Sequence, residues 1–227
     1  MNRFPARHKV PEFTTFASLL RMATKYGFSD VRQGLVEDLK DAYPTKWEDF
    51  KVAKALGEDV FGSPKPHPNA VLNLLLEQGV KFALPFAAYR AAAPGFSSLI
   101  SDEPGAVLPR LTLVSITYGM ERIRHVMVQL SHSVVYSGDL KVCPQKGCVL
   151  NAGINPTKRR MEALKEIFGI MVDKSKGDLL SPLPLGDLAC VNCTKLLEDA
   201  DHRNREQFVW RALPGLLGVG GTGKVVD

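Results

Sequence analysis

Hydrophobic residues along this chain recur at the spacing of three and four that is typical of helices, and no segment alternates convincingly as a strand would. The most regular pattern predicts one long helix over residues 113–134. Its apolar seam consists of Leu113, Ile116, Met120, Ile123, Met127, Leu130 and Val134. Flanking charges that would complement each other across a coiled coil are sparse, and Met specifies packing poorly. We therefore interpret this segment as a central core helix and keep a homo-oligomer as the alternative.

Shorter helical patterns are separated by Gly and Pro residues, and together they predict an all-α fold, an irregular helical bundle. One pattern begins near Phe13 and should end at Gly27 in a left-handed conformation. Capping-box-like pairs predict helix starts at Asp30 and at Thr45, and Pro68 is placed as a first helical residue. Further helices are predicted over residues 71–77, 80–93, from 155 onward and over 195–211, with loops at 62–68, 94–109 and 177–186.

The 227 residues are enough for one good hydrophobic core, and the net charge of +5 is mild. We expect a single helical domain over residues 12–214, within which 12–60 and 113–214 are the two recognisable regions. A flexible basic N-terminus is expected at 1–11 and a flexible Gly-rich tail at 215–227. No apolar h-region follows the basic start, and no apolar run approaches about 18 residues, so we expect an intracellular protein without a membrane span.

The four cysteines occur as two close pairs, Cys143/Cys148 and Cys190/Cys193. Structural zinc is held by four protein ligands in a tetrahedron, and a short turn can present two thiolates from one side. The pairs therefore predict one structural zinc site with all four cysteines as ligands. Two disulfides or four ordinary buried thiols are the alternatives, and disulfides are rare inside cells.

The second pair is expected at or just before the start of the last helix, where the helix dipole favours thiolates. His132 and His202 lie near enough in sequence to be alternative ligands.

Catalytic motifs are missing from the sequence. Residues 218–225 resemble a phosphate-binding loop, but Val225 stands where a hydroxyl should hold magnesium, and we interpret the segment as part of the Gly-rich tail. No nucleophile elbow, paired-carboxylate motif or dinucleotide fingerprint occurs, so we predict that the protein is not an enzyme and has no catalytic residues.

Both ends of the chain resemble one family. The N-terminal part reads F-A-S-L-L-R-M-A-T-K-Y over residues 16–26, followed by V-R at 31–32 and Y-P-T at 43–45, and the C-terminal part reads F-V-W-R-A-L-P at 208–214. These segments are similar to the end of a fungal BTB/POZ domain, its helical extension and the aromatic-Trp…Leu-Pro ending of the same proteins. The resemblance implies a helical region that acts in protein–protein interaction, and the cysteine pairs fit that type.

The mixed β/α core of a BTB domain should precede Phe16, where only residues 1–15 are present. BTB dimerisation and docking to cullin-type ubiquitin ligases depend mainly on that core and do not carry over. We therefore expect the first helix to be under-packed, with Phe16 and Leu20 marking an exposed apolar surface.

The function expected from these observations is a non-enzymatic protein–protein interaction module with one structural zinc and an unknown protein partner. The alternative is a zinc-dependent nucleic-acid-binding protein that uses a set of basic residues: Lys158, Arg159, Arg160, Arg203 and Arg205. Acidic residues are interleaved with the basic ones downstream, which favours a solvated helix face over a nucleic-acid site.

Overall fold

A computed structural model describes residues 12–40, 42–50, 61–62, 64–136, 148, 162, 179–180 and 190–217, with the backbone alone over 130–136. Within these ranges the chain forms helices and turns and no strand, so the predicted all-α class is confirmed. The chain divides into two compact units, one of residues 1–92, 96–116 and 214–227 and the other of 93–95 and 117–213. The single domain over 12–214 stays a prediction. Of the flexible ends predicted at 1–11 and 215–227, residues 1–11 and 218–227 lie outside the described residues, whereas 215–217 belong to a 3₁₀ segment in which Leu216 is buried.

The described helices follow the predicted order closely. They are α1 (Phe13–Lys25), α2 (Ser29–Lys40), α3 (Pro68–Glu77), α4 (Leu84–Ala92), α5 (Phe96–Leu99), α6 (Arg110–Tyr136) and α7 (Val191–Asn204). A single 3₁₀ turn, Lys81–Ala83, precedes α4, and α7 continues through a π turn, Arg205–Val209, into a 3₁₀ segment, Trp210–Leu217. Residues 47–50 are helical directly after the predicted cap at 45, and the helix expected from 155 lies almost wholly outside the described residues.

Helix α1 ends as the sequence predicts. Gly27 has a φ of +70°, which residues with a side chain rarely adopt, and the N–H of Phe28 donates to the Ala23 carbonyl at 2.9 Å. This closure allows α2 to pack against α1. Because α2 begins at Ser29, Asp30 lies in its first turn and does not cap it as expected.

Helix α3 begins at Pro68, as predicted, with His67 as the capping residue that accepts the Asn69 N–H on its ring nitrogen at 3.2 Å. The side-chain amide of Asn69 is fully buried and donates to the carbonyls of Ser98 and Leu99 at 3.2 and 3.1 Å. The Asn69 amide thus connects α3 with α5. The sequence predicts the α5 segment as part of a loop.

Aromatic rings fill much of the core of the first unit. Trp47 stacks on Phe50 at 5.1 Å between ring centroids, and Phe50 meets Phe86 edge-on at 5.6 Å. Tyr43 also meets Phe86 edge-on, and Tyr89 stacks on it, each at 6.3 Å between ring centroids. Edge-to-face pairs of this kind add to the stabilisation from burial, so these rings hold the 42–50 segment on α4.

The expectation that Phe16 and Leu20 are exposed is wrong. Phe16 is 1% exposed and Leu20 is completely buried, and the Phe16 ring packs against Phe61 at 5.3 Å. The apolar side chains of α1 lie on two faces, and the sequence pattern did not separate them. The face that remains exposed carries Leu19 and Met22, so the docking argument built on Phe16 and Leu20 is lost.

The seam of α6 is confirmed as a core seam from Ile116 to Met127, whereas Leu113 at its start is only half-buried. Ile116, Met120, Ile123 and Met127 are buried, while Arg122 is exposed as predicted. Leu130 and Ser133 lie outside the described side chains. No helix in the described part of the chain is both long and apolar enough to cross a membrane.

Candidate metal centre

The second cysteine pair lies at the beginning of α7. Cys190 is the N-terminal capping residue, with extended backbone angles, and its carbonyl accepts the Thr194 N–H at 2.8 Å in the first helical bond. The helix starts at Val191, earlier than the sequence predicts, and Cys193 therefore lies inside the first turn. A C-x2-C spacing at a helix start turns both side chains toward the same end of the helix.

Cys148, from the first cysteine pair, lies beside these two residues. The sulfur atoms of Cys148, Cys190 and Cys193 are all within 4.8 Å of one another, although Cys148 lies far from the other two in sequence. Cys148 and Cys193 are buried and Cys190 is half-buried, and none of the three forms a disulfide. The prediction that the two pairs come together is confirmed for these three cysteines.

A backbone hydrogen bond and the N-terminal end of α7 lie at the cluster. The backbone N–H of Cys190 donates to Cys148 Sγ at 3.5 Å, and the positive end of the α7 dipole points at the same place. Hydrogen bonds to metal-bound sulfur tune such centres. Three soft ligands at this separation can hold a metal ion, because tetrahedral zinc requires sulfur atoms roughly 3.5–4 Å apart.

The fourth position is not assigned by the described residues. Cys143 lies outside them, as does the side chain of His132. His202 follows Cys193 on the same helix by nine positions, which places it roughly 13 Å farther along the axis. His202 therefore cannot share an ion with Cys193, and this alternative from the sequence is wrong.

The basic residues proposed for nucleic-acid binding are not all at the surface. Arg205 is 6% exposed, its Nε donates to Asp201 Oδ2 at 2.8 Å, and a second guanidinium nitrogen donates to the Leu180 carbonyl at 2.9 Å. It is a buried structural residue and is not available to a phosphate. Arg203 is exposed, and residues 158–160 lie outside the described part of the chain.

The buried pair of Asp201 and Arg205 was missed in the sequence. Its signal was present, because an acid and an arginine at i and i+4 meet on a helix. The sequence could not predict that this pair is buried, since the same spacing is common on solvated helix faces.

Comparison of the chain with family models, curated proteins and solved structures gives no match. The resemblance to fungal BTB/POZ proteins consequently stays a prediction from the residues.

Proposed function

We propose that this chain is a non-enzymatic, intracellular protein–protein interaction module whose cysteine cluster binds zinc as a structural ion. Cys148, Cys190 and Cys193 supply three ligands, and Cys143 supplies the fourth. The observation that carries the proposal is the convergence of three sulfur atoms within 4.8 Å from two separate cysteine pairs.

A structural role fits this set of ligands better than a catalytic one. A catalytic zinc keeps one position open for water or substrate, whereas four cysteines close the tetrahedron. Two of the three placed sulfur atoms are on buried residues, which limits access to the ion. Zinc at this point would link Cys148 to the first turn of α7 and stabilise the second unit.

The proposed interaction surface is the exposed face of α1. Leu19, Met22 and Tyr26 follow one another at spacings of three and four and are 45%, 53% and 59% exposed, and Phe28, 56% exposed, lies beside Tyr26. Residues at this spacing form one stripe on a helix, and a protein partner could cover such a stripe with an apolar groove or helix of its own. The resemblance to the helical region of BTB proteins supports the same class of function.

The zinc proposal is tested by metal analysis of the purified full chain. We expect one zinc per chain in the native protein and loss of that zinc in Cys193→Ser. Thr194→Ala, the neighbouring residue without a thiol, is the matched control and should keep the metal. Replacement of the zinc by cobalt should give thiolate-to-cobalt absorption. Native protein without stoichiometric metal, reduced throughout purification, would contradict this part of the proposal.

The interaction proposal is tested separately by affinity capture with the native chain and with the Leu19→Glu/Met22→Glu double variant. Thr14→Glu, an exposed position on another side of α1, is the control. We expect proteins that the native chain and the control both retain to be lost from the double variant. Equal capture by all three would reject the α1 stripe as the interaction surface and leave the zinc result unaffected.

A further inference from the structure

A cavity of about 260 Å³ is lined by residues of the first unit, whereas the cysteine cluster belongs to the second unit. Its walls are largely rings, those of Tyr43, Phe61, Pro66 and Pro68, together with the side chains of Val71 and Ala87. Tyr43, Phe61, Val71 and Ala87 are buried, so these walls belong to the packed core of the unit. Flat apolar walls of this kind favour a flat apolar ligand.

Two cationic side chains, Lys65 and Arg90, also line the cavity, and none of its described lining residues is acidic. The Arg90 guanidinium lies 5.9 Å from the centroid of the Tyr43 ring, in cation–π contact, which fixes it at the wall. Arg90 is half-buried and Lys65 is exposed, so the two cationic side chains differ in their access to solvent. The α3 helix also begins at this wall, at Pro68, and its dipole adds to the positive potential.

The size of the cavity limits the ligand to a small molecule. Ligand sites usually measure about 300–1,000 Å³, and an apolar cavity of about 150 Å³ is known to admit benzene. The space here fits one substituted ring. A guanidinium presents paired N–H donors that match a carboxylate, and the apolar walls would exclude water from that contact.

We propose that this cavity binds a small aromatic carboxylate, with the ring against Tyr43 and Phe61 and the carboxylate on Arg90 and Lys65. The ligand site needs no metal and does not depend on the cysteine cluster or on the α1 stripe.

The test uses benzoate as the probe and benzamide, which has nearly the same shape without the charge, as its neutral match. Each is titrated into the native full chain while the methyl resonances of Val71 and Ala87 are followed by NMR. Benzoate should shift these resonances saturably, and benzamide should bind about tenfold more weakly, the loss expected for one charge-assisted contact. Equal affinities, or no saturable shift with benzoate, would overturn the proposal.

Variants of the two cations locate the carboxylate. Arg90→Gln should weaken benzoate binding about tenfold and Lys65→Gln by a smaller factor, because its ammonium is exposed to solvent. Lys81→Gln, an exposed lysine of the same unit that does not line the cavity, is the control and should bind benzoate as the native chain does. Should Arg90→Gln fail to fold, Lys65→Gln gives the same test. Unchanged benzoate affinity in each cation variant that folds would overturn the proposed placement.

Discussion

Asp201 and Arg205 form an ion pair and are both buried, with 7% and 6% of each residue exposed, respectively. A buried pair of this kind gains little over a well-packed apolar pair, because both groups lose their hydration. Removal of one partner is strongly destabilising, since the remaining charge then stays buried without compensation. Here Arg205 also holds the Leu180 carbonyl, so the loss would reach the 179–180 turn as well.

We expect Asp201→Ala to lower the free energy of unfolding by about 3–5 kcal/mol, as breaking a buried pair usually does. Asp199→Ala removes the same side chain from an exposed position of α7 and should change it by less than about 0.5 kcal/mol. Urea denaturation of both variants measures the difference. Similar small effects in the two variants would show that Arg205 does not depend on Asp201.

Arg21 and Glu77 form the contrasting exposed pair. Arg21 contacts the Glu77 carboxylate through two nitrogens at 2.8–3.0 Å, and this hydrogen bonding lowers the pKa of Glu77 and raises that of Arg21. Both side chains are about half exposed, so the pair is worth less than about 1 kcal/mol.

Because the folded state holds Glu77 below its ordinary pKa, the contribution of the pair to stability is complete above the unfolded pKa near 4 and is lost as the pH falls through the folded pKa. Glu77→Gln should therefore be less stable than the native chain at neutral pH, and the gap should narrow as the pH falls below about 4. Unfolding midpoints measured over a series of pH values from neutral to acid follow this gap. Glu103→Gln, at an exposed loop position, is the control, and a gap that does not depend on pH would contradict the assignment.

Helix α6 illustrates what periodicity predicts well. A sustained spacing of three and four fixes which side is buried, and the burial of Ile116, Met120, Ile123 and Met127 confirms it. Ile123→Ala should lower the free energy of unfolding by about 2–4 kcal/mol, because it empties a core site. Ser115→Ala, exposed on the same helix, should change it by less than about 0.5 kcal/mol. A small effect of Ile123→Ala in urea denaturation would show that the seam is loosely packed.

Gly27, at the junction between α1 and α2, and Gly34, inside α2, form a matched pair for substitution. Gly27 has a φ of +70°, so Gly27→Ala should cost about 1–2 kcal/mol although no atom lies within 4 Å of the added methyl group. Gly34 lies inside α2 with the same open space, and Gly34→Ala should stabilise the protein by about 0.5–1 kcal/mol. Thermal denaturation should give melting temperatures that move in opposite directions. A shift in the same direction would contradict backbone conformation as the factor that decides the sign at these two positions.

At the scale of the whole molecule, the sequence predicts the helix content and the convergence of Cys148 with Cys190 and Cys193. The sequence does not predict which side chains are buried where this depends on packing between segments that are distant in the chain. Leu19 and Leu20 are neighbours with equal hydrophobicity, yet Leu20 is fully buried and Leu19 is 45% exposed, and the face of α1 that is buried is the one on which Phe61 packs against Phe16. The cavity beside Tyr43 and Arg90 could not be predicted from the sequence for the same reason, since its walls come from separate parts of the chain.

The assignment of the cysteines to the second unit gives a prediction about the whole chain. Removal of zinc with a chelator should increase hydrogen exchange most strongly in α7, because the ion would fix its first turn. Amides of α3, in the first unit, serve as the internal reference and should change less. Uniform exchange before and after chelation, with the metal shown to be removed, would mean that the ion does not stabilise α7.

Cys190 occupies a capping position where serine, threonine, aspartate or asparagine usually accepts a backbone hydrogen bond, and its side chain makes no such bond. The first turn of a helix is the slow and costly step of its formation. With zinc bound as proposed, the ion would take the place of the missing cap, and metal capture and helix nucleation would become one event. Newly synthesised chains in a zinc-poor cell would then keep this segment open to proteases for longer. The abundance of the protein would follow the supply of zinc even though its synthesis did not change.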